Sequence, residues 1–115
     1  MKTIPYLLVG NHPKTSKLKE RIIEIIRILK EHGNKIEASE LEKALNISRI
    51  DEPSLFYKPL SSMKKWDLLQ SHRTVEIDSN GKKHFKTTYE LTPEFFYRYI
   101  EKTLIGMVRK ELEMI

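Results

Sequence analysis

DEPSLFYKPLSSMKKWDLL, residues 51–69, is the stretch on which the fold turns. Phe56, Leu60 and Met63 stand at i, i+4 and i+7, so they share one helical face. At about 100° per residue the opposite face carries Ser54, Lys58, Ser61 and Lys65, with no acid among them. A helix buried on one side, with hydroxyls and ammoniums on the other, suits a negatively charged groove. An ordinary amphipathic helix with a solvated face shows the same pattern, so the flanking sequence has to decide.

Pro59 falls inside this helix and removes the hydrogen bond to the Leu55 carbonyl, at a cost of about 3 kcal/mol in a regular helix. Two outcomes stay open. The helix kinks near Leu55–Pro59, or its first turn is irregular up to Pro59, which would take Ser54 off the polar face.

Upstream, Ser39 is placed as the N-cap of a short helix, ELEKAL, with Glu42 completing a capping box. NISRID follows as a turn; Asp51 then stands as a cap and Pro53 in the next first turn, where a missing N–H costs nothing. Short helix, turn and longer helix make a helix-turn-helix unit.

Downstream, LLQSHRTVEID and KKHFKTTYEL flank Ser79-Asn80-Gly81 and read as a β-hairpin. A two-residue Asn-Gly loop would pair Val75 with Lys86 and mix apolar with polar positions. A three-residue loop pairs Val75 with Phe85, Ser71 with Tyr89 and Leu69 with Leu91, keeping the apolar set on one face. The expected form is a type I turn with Gly81 in a bulge. The other face then pairs Asp78 with Lys82, Glu76 with His84 and Thr74 with Lys86, which partly neutralises the hairpin's cations.

Before this unit, Leu18, Ile22, Ile25, Ile26 and Leu29 form a helical stripe from Ser16 to His32, ended by Gly33. Ile23 and Ile28 widen the stripe, as expected of a helix covered on two sides. Lys14, Lys17, Lys19 and Arg21 crowd its start, where the helix dipole already repels cations. Nearby phosphates would relieve that crowding, and so would plain solvation. Residues 1–15, with Pro5, Gly10 and Pro13, read as an arm: a short strand or apolar segment covering its own core or a partner.

After the hairpin, Thr92 caps and Pro93 starts a helix that can run to the C-terminus. Phe96, Ile100, Leu104, Val108 and Leu112 repeat at i+4, broadened by Phe95, Tyr99, Met107 and Ile115. At 1.5 Å per residue this helix is roughly 35 Å long, against a radius of gyration of about 13 Å for a compact domain of this size. Its end overhangs and meets a second chain, or it bends back over the first helix.

A chain of 115 residues with 39% apolar content is one domain. It has no Cys, which excludes disulfides and thiolate chemistry. No stretch has the length of a signal peptide core or a membrane span, so a soluble cytoplasmic protein is expected. The net charge of +5 is uneven: residues 1–35 hold eight Lys and Arg against three Glu, and residues 52–73 hold four against two acids. His12, His32, His72 and His84 are scattered, and no phosphate loop, HExxH or nucleophile elbow is present. No enzyme, metal or cofactor is expected. Phe95, Phe96, Tyr99 and Met107 could line an effector pocket between the long helix and the first, or simply belong to the core.

The order of elements is similar to the winged helix-turn-helix transcription regulators, and within them to MarR-like and PadR-like proteins. Two stretches carry the resemblance over residues 16–115. Phe56, Leu60 and Met63, then Lys64, Lys65 and Leu68-Leu69, resemble the end of a recognition helix and its exit into the wing, although Trp66-Asp67 stands where Lys-Gly is common. YELTPEFF, residues 89–96, resembles the junction after the second wing strand, with Phe95 in place of a usual Gly. The resemblance implies an α+β, mostly helical fold: an arm, a winged-helix domain over residues 16–91, and a dimerisation helix over residues 92–115. It implies a homodimer binding double-stranded DNA through successive major grooves, with Ser54, Tyr57, Lys58 and Ser61 facing the groove and Lys64, Lys65, Arg73, Lys82 and Lys83 on phosphates. Phe96, Ile100, Leu104, Met107, Val108 and Leu112 are the expected dimer interface. Glu37, Glu40 and Glu42 must point away from DNA for this to hold. The alternative is a winged helix that binds protein within a larger assembly.

Overall fold

The computed structural model describes residues 1–115. In chain order it contains α1 (Thr3–Val9), a 3₁₀ turn (Pro13–Thr15), α2 (Ser16–Glu31), β1 (Lys35–Glu37), α3 (Ala38–Leu45) and α4 (Pro53–Lys65). These are followed by β2 (Leu69–Ile77), β3 (Lys83–Leu91), α5 (Pro93–Ile100), a π-helical turn (Glu101–Ile105) and α6 (Gly106–Glu113). The architecture is α+β: helices packed against one antiparallel sheet of strand order β1-β3-β2.

The core sits where α2, α3, α4 and the root of the sheet meet. Ile22, Ile25, Leu29, Leu41, Phe56, Leu60, Met63 and Leu69 are each at most 2% exposed. The stripes read from sequence on α2 and α4 are therefore the buried faces. α1 packs on α2 and α4 of its own chain, with Pro5 buried and Ile4, Leu7 and Leu8 against the core. The first residues are thus neither strand nor extended arm; Pro5 lies in the first turn of α1, where its ring breaks no helical bond.

α4 runs unbroken from Pro53 through Pro59 to Lys65, and the Phe56 N–H already reaches the Glu52 carbonyl at 3.3 Å. The irregular first turn does not occur, and Ser54 stays on the helix. The buried, packed ring of Pro59 offsets its missing bond.

None of the three expected side-chain caps forms. α3 begins at Ala38, without a side-chain cap, and Glu42 does not close a capping box on Ser39. Glu52 rather than Asp51 precedes α4, again without a side-chain cap. Thr92 does precede α5, but its hydroxyl donates to the Asp67 carbonyl at 2.8 Å, tying the end of β3 to the exit of α4.

Helix ends follow one rule. Gly33 (φ 71°), Asn46 (φ 55°) and Asp67 (φ 58°) are left-handed after α2, α3 and α4. Each is followed by a six-to-one bond: Asn34 N–H to Leu29, Ile47 N–H to Glu42, and Leu68 N–H to Met63 carbonyls. Asp67 thus adopts the geometry that the resemblance associates with glycine. Because a left-handed conformation strains a Cβ, and Asp relieves this only partly, Asp67→Ala should cost about 1 kcal/mol and Asp67→Gly should cost nothing or stabilise. Thermal melts ranking alanine above glycine would contradict that geometry.

The hairpin has the predicted register, with Leu69 opposite Leu91, Ser71 opposite Tyr89, Val75 opposite Phe85 and Glu76 opposite His84. Gly81 is left-handed (φ 79°) and its N–H reaches the Asp78 carbonyl at 3.1 Å. The apolar set shares a face, but only its root is covered: Val75, Ile77 and Phe85 are 52%, 69% and 59% exposed.

The C-terminal helix does not fold back. α6 continues the π-turn, and Met107–Ile115 are all exposed. The molecule measures 66 × 29 × 23 Å, with a radius of gyration of 16.9 Å. Phe96, expected in a dimer interface, is 2% exposed and belongs to the core of its own chain. Ile100 and Leu104 are half-buried, whereas Met107, Val108 and Leu112 are open. No helix is long and apolar enough to cross a membrane.

Candidate nucleic-acid interface

The outward face of α4 follows from what its other face buries. With Phe56, Leu60 and Met63 in the core, Ser54, Tyr57, Lys58, Ser61, Lys64 and Lys65 are all exposed. α4 itself contains no acid, and none of Lys58, Lys64 and Lys65 takes part in an ion pair. Lys64 Nζ lies 5.7 Å above the Tyr89 ring, and the Tyr57 ring meets Phe56 edge-on at 5.0 Å, which restricts both side chains.

The turn that sets α4 at its angle to α3 is stitched by Glu42. Its carboxylate accepts from the Arg49 backbone N–H at 2.7 Å and from Arg49 Nε at 2.9 Å. The backbone donor, then the guanidinium charge, holds this carboxyl below the usual glutamate range, so the clamp is intact above that range and fades as pH falls through the lowered value. Ser48 Oγ accepts from the Asp51 N–H at 3.1 Å, and the Ser48 carbonyl from the Glu52 N–H at 2.9 Å. The sequence suggested a role for Glu42 at its own helix start. Its partner seven residues ahead follows only once the chain has turned.

Of the other acids near α3, Glu37 pairs with Lys86 at 2.8 Å. Glu37 chiefly, then Glu76 and last the exposed Glu40, raise the affinity of Lys86 for its proton. Lys86 is thereby tied to the body, which removes one hairpin cation from outside use.

At the hairpin, Arg73, Lys82 and Lys83 are exposed. The Arg73 guanidinium stacks 4.3 Å from the Phe85 ring, which presents it outward in a fixed orientation. Asp78 accepts from His84 Nε2 at 2.7 Å and from the backbone N–H groups of Asn80 and Lys82 at 2.9 Å each. The His84 bond chiefly, then the amides, lowers its pKa. Asp78 thus closes the loop and partly offsets Lys82. Lys82 and Lys83 take part in no ion pair.

Tyr89 anchors the root of the hairpin beneath this surface. It is 3% exposed, lies 6.3 Å from Phe56, and burial pushes its phenol up to about 12. Since an unfolded tyrosine titrates near 10, the contribution of the neutral phenol is complete below pH ~10 and is lost as the pH rises toward ~12. Melting temperatures should fall over that interval in the wild type, and less steeply in Tyr89→Phe; parallel curves would contradict this.

No cluster of three His, Asp or Glu side chains has the geometry to hold a metal. A groove of about 560 Å³ runs along Phe95, Tyr99 and Met107 to Asp67. It lies between the C-terminal helix and the exit of α4, not against α2, and Phe96 is not part of it. Every residue expected to contact DNA is thus exposed, on two elements joined through Leu68 and Leu69. No protein-family model matches the chain, and no curated protein matches it.

Proposed function

We propose that this chain is a winged helix-turn-helix protein that binds double-stranded DNA as a homodimer. α4 is the recognition helix in the major groove, and the β2–β3 hairpin is the wing along the flanking backbone. The observation that carries this reading is the acid-free face of α4, with Ser54, Tyr57, Lys58, Ser61 and Lys65 all open. Glu42 and Glu37 support it by being engaged with Arg49 and Lys86. With no Arg or Asn on that face, positioning on phosphates outweighs base reading, and modest sequence specificity is expected.

The second copy is assigned to α6. Ile105, Val108, Leu112 and Ile115 follow a three-four-three spacing, that of a coiled-coil seam, and are 42%, 53%, 68% and 102% exposed. An open apolar row of this length is costly in water and is covered when two such helices pair.

One observation favours a different partner. Val75, Ile77 and Phe85 present an apolar surface at the hairpin tip, which fits a protein better than a phosphate backbone. A gel-shift titration at two salt concentrations separates the readings. For DNA binding, the slope of log affinity against log salt should lose about 0.9 for each of Lys58, Lys65, Lys82 and Lys83 changed to Gln, and selection from random duplexes should enrich a palindrome. No shift at low salt would assign the surface to a protein partner.

A further inference from the structure

The start of α2 and the first half of α4 border an open cleft of about 230 Å³. Lys14, Lys17 and Arg21 line it from one side and Ser54 and Lys58 from the other; no acid lines it. None of these four cations takes part in an ion pair. The cleft therefore concentrates like charge that the protein itself leaves uncompensated.

Two further observations point the same way. Arg21 Nη1 has no exposed surface and no hydrogen-bond partner, and an orphaned guanidinium nitrogen inside a fold is an unfilled donor. The α2 N-terminus, the positive end of a 16-residue helix, has no acid in its first turn and no side-chain cap. The Thr15 hydroxyl, which could have capped it, donates instead to the His12 carbonyl at 2.6 Å.

We infer that this cleft binds a phosphate group. The Arg21 side chain lining the cleft brings a permanent charge and N–H donors, the three ammoniums add charge, and the Ser54 hydroxyl adds a neutral donor. A carboxylate offers fewer acceptor oxygens to so many donors. The phosphate belongs either to a DNA backbone, in which case the inference rests on the proposed DNA reading and extends its footprint from α4 onto α2, or to a free phosphorylated molecule. The chemistry is the same, and the sources are separable.

The full chain is titrated with inorganic pyrophosphate at constant ionic strength, followed by ³¹P NMR, and separately with a duplex pool, followed by anisotropy against salt. Arg21→Gln, Arg21→Lys and Lys14→Gln/Lys17→Gln are compared with the wild type, each first shown to be folded by circular dichroism. Saturable pyrophosphate binding that weakens at least tenfold in Arg21→Gln, with Arg21→Lys between, supports the site. A duplex salt slope smaller by about two in Lys14→Gln/Lys17→Gln assigns the phosphate to DNA. An unchanged slope alongside lost pyrophosphate binding assigns it to a free ligand. Pyrophosphate binding by a chain that shifts no duplex sustains the cleft and removes the DNA reading. Duplex binding that ignores these substitutions, with no saturable pyrophosphate binding in the wild type, overturns the cleft and leaves the DNA reading standing. Equal pyrophosphate binding by folded Arg21→Gln, with an unchanged duplex slope, also overturns it.

Discussion

Replacing Phe56 with alanine is expected to lower the unfolding free energy by about 3–5 kcal/mol. The ring is 0% exposed, 6.3 Å from Tyr89 and edge-on to Tyr57, so its loss leaves a cavity between α4 and the sheet root. Domains of this size hold only about 5–15 kcal/mol in total, and 1 kcal/mol moves the melting temperature by roughly 4–8 °C. A fall of more than 12 °C is therefore expected in thermal melts. The consequence reaches the surface, because Phe56 fixes the roll of α4 and so where Lys58 and Lys65 point. Urea titrations giving a loss below 1 kcal/mol would mean that the core is not centred on this ring.

The second large effect concerns association. In the proposed dimer, Val108→Glu/Leu112→Glu removes two apolar contacts of about 1.5–3 kcal/mol each and sets carboxylates against one another across the seam. Dimer affinity should fall more than a hundredfold, with the monomer still folded because neither side chain touches the core. Sedimentation equilibrium reads both quantities, and a wild type that is monomeric at high micromolar concentration would end the homodimer proposal. The duplex affinity of the double variant should fall with it, since two half-sites one helical turn apart need two linked recognition helices.

What the sequence disclosed was periodic. The α4 face follows from three apolar residues at helical spacing, and the hairpin register from parity, because a one-residue slip would turn every side chain over. Both are local arguments and neither needs a tertiary partner. The exits of α3 and α4 were legible in place but not in conformation, because Asn46 and Asp67 adopt a left-handed geometry that glycine alone announces plainly. α1 was hidden because Pro5 and Gly10 suggest a break while the apolar run between them suits a helix of two turns. The caps misled because Ser39, Asp51 and Thr92 each have the right chemistry at nearly the right place. Glu42 and Thr92 instead serve the junctions on either side of α4. The crowding of Lys14, Lys17 and Arg21 was visible in the sequence, but that Lys58 joins them from 37 residues further on than Arg21 depends on how α2 packs against α4.

The π-turn at Glu101–Ile105 has a geometric effect at a distance. Successive i+4 positions drift by about 40° along an ordinary helix, so the row from Phe96 to Leu112 would wind through about 160°, nearly halfway around the rod. A π-turn accommodates one extra residue, about 100° of rotation, and largely reverses that winding. The seam on α6 is thereby brought back toward the azimuth at which Phe96 and Ile100 meet the body of the protein. A twin chain bound there would inherit its compass bearing from those five residues, and removing one of them would swing it, with its own α4, to another quadrant.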